Sequence, residues 1–133
     1  MESMGMANWF GELMGSYAGM VKYEGEVHDA EELNPNINFA EFDKLELMLV
    51  ETGIPYDKER MFGGKHLIYP HKGETQVCSV VLHNGSYGRE EGLLEIMGLL
   101  TDEELECDTV AGHLTADDVF GRIKKHWDEK GGE

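Results

Sequence analysis

The sequence is short of positive charge. Eleven lysines and arginines stand against 27 aspartates and glutamates in 133 residues, a formal charge of −16. A field of that sign repels nucleic acid and anionic lipid, so direct binding to either is not expected. Cysteine is scarce as well. Cys78 and Cys107 are too few for the disulfide framework of a small secreted domain, and they show no CxxC or Cys/His zinc spacing, which is the usage of reduced thiols. No apolar run approaches the ~20 residues of a membrane span. No lysine or arginine precedes Lys22, so the basic start of a secretory leader is missing and the expected location is the cytoplasm.

What is present suits one globular domain, with 41% hydrophobic and 9% aromatic residues. Met1 to Tyr23 carries five of the eight methionines and sets Phe10, Leu13, Met14, Tyr17, Met20 and Val21 on a helical stripe. Gly11, Gly15 and Gly19 line another side, so this helix needs a partner surface, on its own domain or on another chain. Residues 24–38 read as an acidic linker carrying the loop signature Asn34-Pro35-Asn36. Next, Asn38 with Glu41 predicts a capping box, and Phe39, Phe42, Leu45, Met48 and Leu49 form a buried stripe that Gly53 and Pro55 end.

Two strand-like runs follow, Arg60 to Phe62 and Lys65 to Tyr69, about a Gly63-Gly64 hairpin. A third, Thr75 to His83, is partly apolar on both sides and belongs in the middle of a sheet. Leu93 to Leu100 fits helix or strand, because Gly92 and Gly98 weaken a helical stripe. Thr101 to Glu104 reads as a short capped turn, Thr109 to His113 as a brief strand. Thr115 to Asp118 caps a last helix with Val119, Phe120, Ile123 and Trp127 inward. The expected fold is α+β: a small antiparallel sheet packed with an N-terminal or central helix and a C-terminal helix, the domain spanning 39–130.

The glycine-rich stretch HNGSYGREEG, from His83 to Gly92, invites a phosphate-loop reading. Its glycines match neither GxGxxG nor GxxxxGK[ST], and Glu90 and Glu91 would repel an anion there. A pocket for a small ligand such as a nucleotide, built from His83, Asn84, Ser86 and Tyr87, stays as an alternative. Ser86 is not in GxSxG, and Cys78 in an apolar strand is expected to be inert. The six histidines show no HxH or HExxH, leaving only an assembly of His83, His113 and a cysteine from separate segments. No metal, cofactor or enzymatic activity is therefore expected.

The distribution of charge is the distinctive feature. Between Glu90 and Asp118 there are ten acids and no lysine or arginine, and between Glu24 and Asp43 seven more acids and again no base. Such blocks keep a protein soluble, or dock into a positively charged groove by attraction that weakens with salt. The runs GSYGREEGLLEIMGLL and HLTADDVFGRIKKHW resemble small acidic proteins encoded by phages and prophages of Gram-positive gut bacteria, a likeness over about residues 39–127. The resemblance implies a phage origin and a host-cell cytoplasm; no site residue comes with it.

The expected function is protein–protein binding, in its concrete form inhibition of a host defence nuclease by an anti-CRISPR-like DNA mimic. The partner would be a basic nucleic-acid-binding protein met by Glu90, Glu91, Glu95, Asp102, Glu103, Glu104, Glu106 and Asp108. Trp9, Phe10, Leu13, Met14 and Tyr17 would supply an apolar anchor or a homo-oligomer contact. An oligomeric structural or accessory phage component is the other alternative.

Overall fold

The computed structural model describes residues 32–131. They form an α+β fold, with a five-stranded antiparallel sheet and three α-helices. In chain order these are α1 (Ala40–Thr52), β1 (Asp57–Met61), β2 (Gly64–Tyr69), β3 (Cys78–Leu82), β4 (Leu94–Met97), α2 (Asp102–Cys107), β5 (Val110–Leu114) and α3 (Ala116–Glu129). The strands lie in the order β1-β2-β3-β4-β5, each antiparallel to the next, so every sheet connection joins neighbours.

Register assigns the two faces. The row Lys58, Leu67, Val80, Ile96, Ala111 looks toward α1 and α3, and the row Asp57, Ile68, Ser79, Met97, Val110 looks the other way. On the first face Phe42, Leu45 and Leu49 of α1 and Ala116, Val119 and Ile123 of α3 pack on Leu67, Tyr69, Val80, Leu82, Leu94 and Ile96. Burial of each large apolar side chain there contributes about 1.5–3 kcal/mol before its entropy cost. Toward β1 the first face turns charged. Lys65 reaches Asp43 at 3.0 Å and lies over the Phe39 ring at 4.9 Å, while Lys58 and the Tyr56 hydroxyl both bond Glu46.

Local chemistry sets the element ends, and several differ from expectation. Gly53, at φ 75°, ends α1, with Ile54 N–H reaching back to the Leu49 carbonyl in a Schellman closure. The capping box expected at Asn38 and Glu41 does not form. Asn38 accepts from Ala40 N–H, but the Glu41 carboxylate instead accepts from Ala116 N–H at 2.6 Å, satisfying an open amide at the start of α3. The first hairpin turns on Phe62-Gly63, both at positive φ, and not on Gly63-Gly64. Gly64 belongs to β2, where a Cβ would meet the Leu82 carbonyl oxygen at 1.9 Å.

β3 begins at Cys78 and not at Thr75, because Gln76 N–H closes a turn onto the Gly73 carbonyl. It lies centrally, buried on both sides. The ambiguous Leu93 to Leu100 stretch contains the strand β4, and Thr101 to Glu104 opens α2 with a complete capping box. Thr115 caps α3 through Asp118 N–H. The end of the expected linker joins the domain, since Asn34 N–H bonds the Gly63 carbonyl and Ile37 lies in the core. No described helix is long and apolar enough to cross a membrane.

Candidate functional site

The eight acids expected to face a partner do not gather in one place. Glu90 and Glu91 sit on a 3-10 turn (Arg89–Glu91) ahead of β4, within 3.9 Å of Arg89 and 3.8 Å of His113 respectively. Asp102, Glu103, Glu104, Glu106 and Asp108 lie on or just after α2, beyond the other end of β4, a strand's length of roughly 13 Å away. Glu95, on the second face, accepts from Tyr87 N–H at 2.8 Å. Burial, with Asp108 nearby, raises its carboxyl above the ordinary range against the pull of that N–H.

Glu104 has a structural task. It accepts two 2.8 Å bonds from Arg122 and closes the capping box with Thr101, which holds its carboxyl at about 2. Arg122 also bonds Asp118 and the Leu99 carbonyl, so this one guanidinium ties α3 to the start of α2. That leaves Asp102, Glu103, Glu106 and Asp108 as exposed acids with no cation partner among the described residues. Leu105, in the middle of α2, is 57% exposed. Acids around an open leucine on a short helix suit contact with a cationic surface that also offers an apolar hollow.

The loop set is brought together but turned on itself. Ser86 Oγ accepts from His83 N–H and donates to the His83 carbonyl, and His83 Nδ1 accepts from Gly85 N–H. Asn84 accepts from the Asn34 side chain at 2.7 Å. Burial, with His66 nearby, pushes the His83 imidazole down to about 4, so it is neutral at pH 7. Tyr87 is exposed. The polar groups that would grip a nucleotide are already engaged in holding the loop.

Two further constellations escape sequence reasoning. On the second face Glu59 Oε2 meets His66 Nδ1 at 2.9 Å, and His66 Nε2 meets Ser79 Oγ. The order carboxylate, imidazole, hydroxyl is that of a nucleophilic triad. Here, however, the Ser79 residue is 1% exposed in a central strand whose amides serve the ladder. Burial raises the Glu59 carboxyl, but the bonds from His66 and from Lys72 at 2.8 Å outweigh it and hold it at about 2. The chain pins β1, β2 and β3 in register. Only pairing of the three strands places these residues on one face, and no local pattern announces it.

The second constellation is a cleft of about 460 Å³ between Leu99–Thr101 and α3, lined by Leu99, Leu100, Asp118, Arg122, Lys125 and His126. Leu99 holds a φ of 58°, and the buried Tyr69 hydroxyl, its pKa pushed up to about 12 by burial, shares a 2.8 Å hydrogen bond with His126 Nδ1. Asp118 and Glu104 pair with Arg122, and Glu129 completes the lining.

Cys78 is fully buried with its thiol pushed up by burial, while Cys107 is exposed on α2. Among the described residues no three His, Cys, Asp or Glu side chains converge on a metal-sized point. Trp9, Phe10, Leu13, Met14 and Tyr17 lie outside the described residues. No protein-family profile, curated protein or solved structure matches the chain.

Proposed function

We propose that the protein acts by binding another protein, and that α2 with its flank is the contact. The observation that carries this reading is the group Asp102, Glu103, Glu106 and Asp108, exposed around the exposed Leu105 and without a cation partner among the described residues. At a net charge of −16 the whole molecule adds a long-range attraction to any basic surface. Grooves that hold nucleic acid are the common basic surfaces of a cell, so a nucleic-acid-binding protein is the partner class. The resemblance to phage-encoded proteins narrows it to a host defence nuclease, blocked in the anti-CRISPR manner. Glu90 and Glu91 form a second, smaller acidic site at the far end of β4, and Glu95 and Glu104 serve the fold. The reading requires no cofactor and no catalysis.

The test is capture from host lysate by the immobilised protein, side by side with a D102N/E103Q/E106Q variant. The expected catch is a basic nucleic-acid-binding protein that duplex DNA displaces and that the variant retains at least tenfold less. Equal retention by both proteins, or indifference to DNA, overturns the assignment.

A further inference from the structure

The cleft between the Leu99–Thr101 turn and α3 takes its whole lining from described residues, and none of Asp102, Glu103 and Glu106 belongs to it. One wall is apolar. Leu99 and Leu100 stand side by side, packed against the core yet each only half-buried. That wall is held in place. Leu99 takes a φ of 58°, a conformation that L residues avoid, and its carbonyl accepts from Arg122 Nη1 at 3.0 Å. A leucine stays in that region only where its surroundings fix it, and here they fix it beside a cavity.

The other wall is α3. His126 is tied at Nδ1 to the buried Tyr69 hydroxyl at 2.8 Å, with the two rings edge to face, so this turn of the helix is anchored to the sheet. Charge on the lining balances, Arg122 and Lys125 against Asp118 and Glu129, on a protein whose formal charge is −16. Arg122 and Asp118 are closed on each other at 2.8 Å. Lys125 and Glu129 are not. They stand at i and i+4, the spacing at which Lys124 and Asp128, one residue back, close a 2.6 Å pair, yet neither has a hydrogen-bond or ion-pair partner among the described residues. One ammonium and one carboxylate are thus left open beside an apolar wall.

We propose that this cleft binds a small zwitterion with an apolar side chain, a free aliphatic amino acid of the leucine kind. Its carboxylate meets Lys125, its ammonium meets Glu129, and its side chain lies on Leu99 and Leu100. The volume of about 460 Å³ falls in the range of small-molecule sites. At their helical spacing Lys125 and Glu129 start about 6 Å apart, and the two charges of an amino acid, joined through one carbon, fit between their tips. A simple anion would face Glu129 and the field of the whole protein, and a simple cation would face Lys125. A molecule carrying both charges meets neither cost. The site uses no residue of the α2 contact, so it stands or falls apart from the protein-binding reading.

The experiment is a titration of the isotope-labelled full chain with leucine at pH 7, followed through backbone amide shifts. Saturable shifts are expected at Leu99, Leu100, Lys125 and His126, with a dissociation constant of about 1 mM or tighter. Glycine, which lacks the side chain, is expected to bind at least fivefold more weakly. N-acetylleucine and leucinamide, each lacking one charge, are expected to bind at least threefold more weakly. Lys125→Met and Glu129→Gln are each expected to weaken leucine at least threefold, while Lys124→Met leaves its affinity unchanged. Absence of saturable shifts at about 10 mM leucine overturns the proposal. N-acetylleucine or leucinamide binding as tightly as leucine overturns it too, as does leucine binding that Lys125→Met and Glu129→Gln leave untouched.

Discussion

Arg122 is the residue on which most separate bonds converge. Its side chain is 15% exposed and holds Glu104, Asp118 and the Leu99 carbonyl at once. Removing it leaves the Glu104 carboxylate and the positive-φ Leu99 turn unsupported. Arg122→Ala is therefore expected to cost about 2–3 kcal/mol in denaturant unfolding, against under 0.5 kcal/mol for Lys124→Ala, whose pair with Asp128 is exposed. His83, Glu59 and Glu104 act in one direction on the acid side. His83 has a folded pKa of about 4, below its unfolded ~6.5, so its contribution is complete above pH 6.5 and is lost as pH falls to 4. Glu59 and Glu104, held at about 2, contribute above pH 4.5 and lose that contribution as pH falls toward 2. Unfolding free energy measured from pH 7 to 2 is expected to fall in two stages, and His83→Gln to flatten the first by about 3 kcal/mol. Glu95 runs the opposite way. Its carboxyl is raised, so protonation favours the folded state, and Glu95→Gln, which keeps an acceptor for Tyr87 N–H, is expected to raise the melting temperature at pH 7 by a few degrees.

At the scale of elements, two glycines separate space from conformation. Gly121 lies inside α3 with nothing within 4 Å of an added Cβ, so Gly121→Ala is expected to stabilise by about 0.5–1 kcal/mol. Gly64→Ala drives a methyl into the Leu82 carbonyl and is expected to abolish the cooperative melting transition seen by circular dichroism. The same contrast shows what the sequence disclosed. α1 and α3 were legible because their apolar positions repeat at helical spacing and end in clear stops, and β3 because it is apolar on both sides. The Leu93 to Leu100 stretch was not, since a four-residue strand between two glycines is too short for its period to show. The first turn was misplaced by one residue because Phe62 takes a positive φ that sequence preference gives to glycine. The Asn38–Glu41 box failed through a tertiary competitor, the Ala116 amide, which no local pattern contains.

For the whole molecule, charge was legible in amount but not in arrangement. A count of acids says nothing of which are spent inside the fold, and Glu104 and Glu95 are, through Arg122 and the Tyr87 amide. The ligand loop was readable as a turn, yet only coordinates show Ser86 and His83 bonded to each other. The Glu59–His66–Ser79 chain needed three strands in register before it existed. What remains on the surface is an acidic α2 on a strongly negative protein, and its attraction to a basic partner must be screened by ions. The most direct measurement is the dissociation constant for the captured partner from 50 to 500 mM NaCl, for the natural chain and for D102N/E103Q/E106Q. The account predicts affinity falling at least tenfold over that range for the natural chain and a clearly shallower slope for the variant. Affinity that holds constant with salt, or identical slopes for the two proteins, would contradict it.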